Sequence, residues 1–186
     1  MSFTKPELRK QSRQILQSLS VTEKNKASQQ IETLLQDFIK NQTGYWACFR
    51  PLPDEVQINW SHLVTKVRWV YPKLISSTEM QFMHSTHPRF VRNEWGVEEP
   101  VEDEMKSEVQ WISRSELQGL FIPGLAFTAS GVRLGRGKGY YDRYLKDFSG
   151  LRIGVCFSRQ LFSQLPQDES DVGMTHVLSE NGWIDI

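Results

Sequence analysis

An excess of charge is missing from this sequence: 22 Lys and Arg are matched by 22 Asp and Glu, for a formal net charge of zero. Broad electrostatic attraction to nucleic acid or to an anionic membrane therefore has no basis in composition, and any basic site has to be local. Cysteine is scarce. Cys48 and Cys156 both lie in apolar, strand-like runs and read as buried, reduced thiols, not as a disulfide or a catalytic nucleophile. The four scattered histidines supply no zinc spacing. No apolar run approaches the roughly 20 residues that cross a bilayer. The opening Met-Ser-Phe-Thr-Lys-Pro-Glu holds no signal-peptide core, so a cytoplasmic location is expected. Internal repeats and low-complexity linkers are absent too, and 186 residues fit one domain spanning 1–186 with a single core.

Glycine, by contrast, is concentrated. Gly131-Val132-Arg133-Leu134-Gly135-Arg136-Gly137-Lys138-Gly139-Tyr140-Tyr141-Asp142-Arg143 alternates glycines with cations and then opens into an aromatic, amphipathic segment. Glycines let successive backbone N–H groups converge on an anion, and a helix starting there would add its own free N–H groups. Arg133, Arg136 and Lys138 can neutralise phosphate oxygens, and Asp142 is placed to hold an accompanying metal. The spacing is neither that of a P-loop, since Gly139 follows Lys138 where a hydroxyl is required, nor that of a dinucleotide fingerprint, since Tyr140 stands at the third glycine. The segment reads as a polyphosphate site, against the plainer alternative of a solvated glycine turn.

Helix starts are marked by Thr4-Lys5-Pro6-Glu7 and Ser20-Val21-Thr22-Glu23, both of capping-box form. Strands are expected over 45–49, 68–71 (stopped by Pro72), 80–84, 120–122, 151–157 and 176–178, and helices over 56–66, 139–148 and 158–165. Residues 85–119 give no clear pattern. Strands separated by helices predict an α/β fold with a mainly parallel sheet covered on both faces. Ligands then belong beyond the carboxyl ends of the strands, where 51–55 and 123–139 fall.

Phe121-Ile122-Pro123-Gly124-Leu125-Ala126-Phe127, followed after a short spacer by Gly131 to Leu145, resembles the signature of the 5-formyltetrahydrofolate cyclo-ligases, also called methenyltetrahydrofolate synthetases. The resemblance covers most of the chain. Lys5-Pro6-Glu7-Leu8-Arg9 is similar to the family's N-terminal Lys-x-x-Leu-Arg, and Arg50-Pro51-Leu52-Pro53-Asp54-Glu55-Val56 to its folate-side segment. Asn93 to Pro100 resembles its Gly-Ile-x-Glu-Pro region. Ile153-Gly154, Gln160, Leu165-Pro166 and Asp171 resemble its C-terminal positions.

The resemblance implies a three-layer α/β/α domain with Rossmann-like topology. It also implies ATP- and magnesium-dependent closure of 5-formyltetrahydrofolate to 5,10-methenyltetrahydrofolate by a monomer whose partners are a reduced folate and ATP. Lys5 and Arg9, one helical turn apart, then join Arg133, Leu134, Gly135, Arg136, Gly137, Lys138, Gly139, Tyr140 and Tyr141 at ATP. Arg136 and Lys138 become the catalytic cations, and Asp142 and Asp171 the magnesium carboxylates. Arg50, Glu55, Trp95 and Tyr140 fall to the folate, with Glu55 accepting from the pterin's amino and N–H groups. Of the two adjacent tyrosines, one is expected in the core and the other at the border of the two ligands. Ser170 departs from the His or Asn that many members carry before the aspartate. On the residues alone, a sugar-phosphate isomerase with related topology and a non-catalytic folate or nucleotide binder remain alternatives.

Overall fold

The computed structural model describes residues 3–93, 96–101 and 109–186. Two helices open the chain, α1 (Lys5–Ser18) and α2 (Val21–Ile39). Each starts where the sequence places a cap. The Glu7 carboxylate accepts the Thr4 N–H (2.8 Å); Glu23 accepts the Ser20 N–H (2.8 Å) while Ser20 Oγ accepts the Glu23 N–H (3.2 Å), so donors that have no partner inside the helix are satisfied.

Thirteen strands follow among the described residues: β1 (Thr43–Ala47), β2 (Lys66–Leu74), β3 (Met80–Ser85), β4 (Phe90–Arg92), β5 (Glu98–Pro100), β6 (Val109–Ile112), β7 (Leu117–Pro123), β8 (Ala126–Thr128), β9 (Arg133–Leu134), β10 (Leu151–Val155), β11 (Leu161–Phe162), β12 (His176–Ser179) and β13 (Gly182–Asp185). A short helix, α3 (Tyr140–Leu145), lies between β9 and β10. Eight strands form the central sheet in the order β13-β12-β10-β7-β1-β2-β3-β6. The run β12-β10-β7-β1-β2 is parallel, and the antiparallel pairings are confined to the flanks. The expected α/β architecture with a mainly parallel sheet is the one observed.

The sheet is buried on both faces by strict alternation along its strands. Trp46, Cys48, Phe121, Ile153 and Val155 face α2, whereas Ala47, Leu120, Ile122 and Cys156 face α3. Successive side chains of a strand cannot share a face, so apolar runs of this kind require cover on both sides. Both cysteines are free and buried, and burial pushes both thiols above their ordinary range. No helix among the described residues is long and apolar enough to cross a membrane.

Several elements differ from the sequence expectation. Residues 56–66 hold only one turn of 3-10 helix, at Trp60–His62; ahead of it Val56, Ile58 and Trp60 are buried while Gln57 and Asn59 are exposed, the period of an extended chain. This segment runs along α2, with the Gln57 and Asn59 N–H groups bonded to Ser28 Oγ and Glu32 Oε1. Pro72 does not stop β2. Cys48 donates to the Val70 carbonyl and the β1 ladder ends at the Ala47–Val70 pair. Two residues further on, the missing N–H of Pro72 points where no strand needs it. Residues 158–165 form one turn of 3-10 helix at Ser158–Gln160 and then strand β11. Buried Gln160 fixes that turn by donating to the Gly124 and Leu125 carbonyls and accepting from the Phe157 N–H. The strand leading into the glycine segment is β9, part of a small sheet β11-β8-β9, and α3 covers 140–145, not 139–148.

Candidate functional site

Chain order reverses at β1. From it the chain builds β2 on one side and later β7 on the other, so the loops leaving β1 and β7 diverge and open a crevice at their carboxyl ends. Phe49 and Arg50 after β1, and Pro123 and Gly124 at the end of β7, line a cavity of about 360 Å³ there. A second cavity of about 740 Å³ adjoins it, lined by Lys5, Arg9, Lys146 and Asp171 among others. Arg133, Gly135, Gly139 and Asp142 border both. The glycine segment is therefore the wall between two chambers.

Glycine is required in that wall for two reasons. Gly137 and Gly139 have φ of 102° and 70°, which L side chains rarely adopt. A Cβ at Gly135 would also stand only 2.9 Å from a guanidinium nitrogen of Arg133, which is buried and held by Asp142 and the Pro123 carbonyl.

In the larger chamber, carboxylates and cations are already paired. Lys5 Nζ donates to Asp168 Oδ2 (2.7 Å) and makes a shorter bond to Asp171 Oδ2. Burial pushes the Asp171 carboxyl up, but the Lys5 bond, the Asp168 N–H, and the charges of Lys5 and Arg133 outweigh it and hold its pKa below the ordinary value. Arg9 Nε donates to the Gly135 carbonyl (3.0 Å). Arg133 Nη2 donates to Asp142 Oδ1 (2.9 Å), and Nη1 to the Pro123 carbonyl (3.3 Å). Arg133 Nε is buried and has no acceptor among the described residues. An unsatisfied donor of a buried guanidinium costs free energy until an acceptor reaches it, which suits a wall built to meet an anion.

The smaller chamber is more apolar and has one buried carboxylate. Glu55 is 7 % exposed. Its Oε2 accepts the Leu52 N–H (2.9 Å), its Oε1 accepts from Arg136 Nε (3.1 Å), and Arg136 Nη2 makes an ion pair with the same oxygen at 3.0 Å. Arg136 Nη2 also donates to Asp54 Oδ1 (2.6 Å). Burial raises the Glu55 pKa, and the opposing pull of Arg136 and Leu52 offsets that only in part. Arg50 is clamped by Glu98 and lies over the Phe90 ring at 4.4 Å.

The expected residues are thus divided between the chambers. Lys5, Arg9, Arg133, Leu134, Gly135, Gly137, Gly139, Asp142 and Asp171 line the larger one; Arg50, Glu55, Arg136, Lys138, Tyr140 and Tyr141 line the smaller, which Arg133, Gly135, Gly139 and Asp142 also border. Trp95 lies outside the described residues. Neither tyrosine is a core residue: both are half-buried and on the chamber wall, and the helix buries Tyr144 and Leu145 instead. Tyr140 donates to the Ser76 carbonyl (3.2 Å), while Tyr141 lies under the Arg133 guanidinium at 5.5 Å. Sequence reading missed Arg143 and Lys146 as cations of the larger chamber, although Arg143 follows Asp142 on α3 and Lys146 caps that helix. It also missed Asp54, the second anchor of Arg136.

Among the described residues, no three His, Cys, Asp or Glu side chains are grouped closely enough to hold a cation by themselves. Asp142 and Asp171 border one chamber, so a divalent ion there would be completed by ligand oxygens and water. That donor set suits magnesium arriving with a polyphosphate. The two carboxylates fit such an ion once their lysine and arginine partners are offered phosphate instead.

Comparison with known proteins gives a consistent result. A sequence model of the 5-formyltetrahydrofolate cyclo-ligase family matches residues 2–180. The chain is 35% identical over 115 residues to a 5-formyltetrahydrofolate cyclo-ligase of Mus musculus, covering 59% of this chain and 52% of that protein. It is 32% identical over 161 residues to one of Mycoplasma pneumoniae, covering 82% and 85%. For the mouse protein and two further relatives, the match spans about half of the relative's length. Two solved structures, each of a 5,10-methenyltetrahydrofolate synthetase, superpose along nearly the whole chain. The one from Mycoplasma pneumoniae has a TM-score of 0.77 at 27% identity, covering 96% of this chain and 99% of that one. The one from Aquifex aeolicus has a TM-score of 0.82 at 28% identity, covering 98% and 93%.

Proposed function

The chain belongs to the 5-formyltetrahydrofolate cyclo-ligase family, and from that premise we propose that it closes 5-formyltetrahydrofolate to 5,10-methenyltetrahydrofolate at the expense of ATP, as a single catalytic domain. The observation that carries the reading is the shared wall: a cation-lined chamber and a more apolar chamber with a buried carboxylate meet at Arg133, Gly135, Gly139 and Asp142. A reaction that joins a phosphate to a folate needs the two within bonding distance and shielded from water.

The chemical obstacle is an amide. The N5-formyl carbon is a poor electrophile and its oxygen a very poor leaving group. In the proposed course the formyl oxygen attacks the γ-phosphorus, ADP leaves, and the formyl carbon becomes an N5 iminium phosphate. N10 then adds to that carbon and loses its proton, the C–O bond breaks, and phosphate departs as the methenyl bridge closes. The products are 5,10-methenyltetrahydrofolate, ADP and phosphate.

Little covalent work is left to the protein, so positioning and charge stabilisation dominate. Glu55 holds the pterin through its amino and N–H donors, with Arg50 and Tyr140 bordering the ring. Lys5, Arg9, Arg133 and Lys138 offset phosphate charge, and Arg136 follows the charge as it moves. The backbone of 135–139 approaches the phosphates closely because its glycines carry no Cβ. Asp142 and Asp171 would hold a magnesium ion, which would supply charge neutralisation of the triphosphate. No side-chain nucleophile is required.

The test is direct: protein, 5-formyltetrahydrofolate and Mg-ATP are mixed and the near-ultraviolet absorbance of the methenyl product is followed. Nucleotide-dependent product formation is expected. Turnover without ATP would point to another phosphate-handling enzyme, and binding without turnover to a non-catalytic binder.

A further inference from the structure

Arg136 belongs by sequence to the glycine loop, between Gly135 and Gly137, both of which border the larger chamber. Its side chain turns the other way. Nε and Nη2 bind Glu55 Oε1 at 3.1 and 3.0 Å, and Nη2 binds Asp54 Oδ1 at 2.6 Å. The guanidinium is therefore held by Glu55, on the wall of the smaller chamber, and by its neighbour Asp54. The Arg136 Nε–H occupies Glu55 Oε1 with Nη2 in ion-pair contact beside it, and the Leu52 N–H takes one lone pair of Oε2.

Resting on the functional reading above, we infer that Arg136 couples the two ligands: the pterin displaces it from Glu55, and the released guanidinium turns toward the nucleotide phosphates. The physical argument is one of exchange. A buried carboxylate keeps a partner at all times, because leaving it ionised and unpaired costs several kcal/mol. A pterin edge that presents an amino group and a ring N–H side by side needs both oxygens of one carboxylate. Oε2 has a lone pair to offer, but Oε1 is occupied by Arg136, so the pterin and the arginine compete for it. When the pterin wins, Glu55 keeps its hydrogen bonds and Arg136 keeps only Asp54, which is about a third exposed and holds it less tightly.

What Arg136 can reach next is set by its neighbours. Gly135 and Gly137 carry no side chain to block a turn of the residue between them, and Gly137 already has φ of 102°. The chamber beyond that loop is where phosphate is proposed to sit. A phosphate there offers the displaced guanidinium the bidentate partner it has just lost. Each ligand then favours the other's site, and by linkage the effect is reciprocal. Before folate arrives the loop holds one cation fewer toward the nucleotide, which disfavours phosphorylating anything else.

Calorimetric titration of the full chain with the non-hydrolysable analogue adenylyl-imidodiphosphate and magnesium, with and without saturating 5-formyltetrahydrofolate, tests this. In the wild type the folate is expected to tighten the analogue by at least about five-fold, the low end of ordinary coupling between sites. In Arg136→Ala the ratio should fall to one. In Asp54→Asn, which keeps the arginine but loosens its hold, folate-free nucleotide affinity should rise and the ratio should shrink. A wild-type ratio of one, with both ligands binding, overturns the coupling and leaves the functional reading standing. So does an unchanged ratio in Arg136→Ala, or an Asp54→Asn variant that binds the analogue with wild-type affinity and ratio. A wild-type chain that binds neither ligand overturns the functional reading and this inference together.

Discussion

Glu55 and Asp171 are acids in opposite circumstances, and each makes its own prediction. Glu55 is buried and its pKa is raised, with burial as the largest cause, so its charge is maintained by whatever partner it has. Glu55→Gln keeps the shape but replaces a charge-assisted acceptor by a neutral amide that presents one acceptor and one donor edge. Folate affinity is expected to fall by about 1.5–3 kcal/mol, roughly ten-fold or more, with no loss of nucleotide affinity. Separate titrations of the two ligands check it. Asp171 has a lowered pKa. A group depressed on folding contributes stability above its unfolded value and loses it as pH falls through the folded one. The gap in Tm between the wild type and Asp171→Asn should therefore be open near neutral pH and close as pH falls through and below about 4. Thermal melts across that range read it directly. Both acids stand out in the sequence only through resemblance. Nothing local to Glu55 indicates that Arg136, 81 residues away, would sit on its oxygen.

Among the elements, the glycine loop carries the most information and is the least tolerant. Gly137 adopts φ of 102°, and a Cβ there would stand 3.3 Å from the Arg9 guanidinium carbon. Gly137→Ala is expected to cost about 1–3 kcal/mol in backbone strain and to displace Arg9 from the Gly135 carbonyl, so chemical denaturation and nucleotide titration should both register it. Elements with a local chemical signal matched their sequence reading: the capped helices α1 and α2, and the apolar strands β1, β7 and β10. The segment 56–66 did not, because its alternating Val56, Ile58 and Trp60 were read against a helical template. Strand β13 was also missed, although Asn181-Gly182 ahead of Trp183 and Ile184 has the composition of a hairpin turn. The short strands β8, β9 and β11 have no local signal: they are two or three residues long, and Ala126 and Leu134 are buried against Leu8 of α1 and Leu165, far away in sequence.

At the scale of the whole molecule, two loops distant in sequence are brought to one cavity. Asp142 lies at the start of α3 and Asp171 in the loop before β12, and both border the chamber that Gly137 lines. If they share one magnesium ion, each single Asn substitution should raise the magnesium concentration required for turnover. The double variant should cost less than the sum of the singles; additive costs would mean that the two act on separate ions or on none together. The same convergence sets Lys5, at the first residue of α1, against Asp168 and Asp171, so the N-terminal helix is docked on the site by charge as well as by Leu8 and Leu16.

Composition, periodicity and glycine spacing were enough to determine a covered, mainly parallel sheet, two capped N-terminal helices and a glycine-rich loop with positive φ. These properties depend on each residue and its near neighbours: alternation demands two faces, caps satisfy free N–H groups, and glycine admits positive φ. Which way a long side chain turns is not such a property. Arg136 could have faced either chamber, and Tyr140 and Tyr141 could have divided between core and site. Lys5 could have remained solvated. Only the tertiary structure decided these, because a guanidinium or ammonium goes to the buried or half-buried carboxylate that folding brings within reach, and that carboxylate is supplied by a part of the chain far away in sequence.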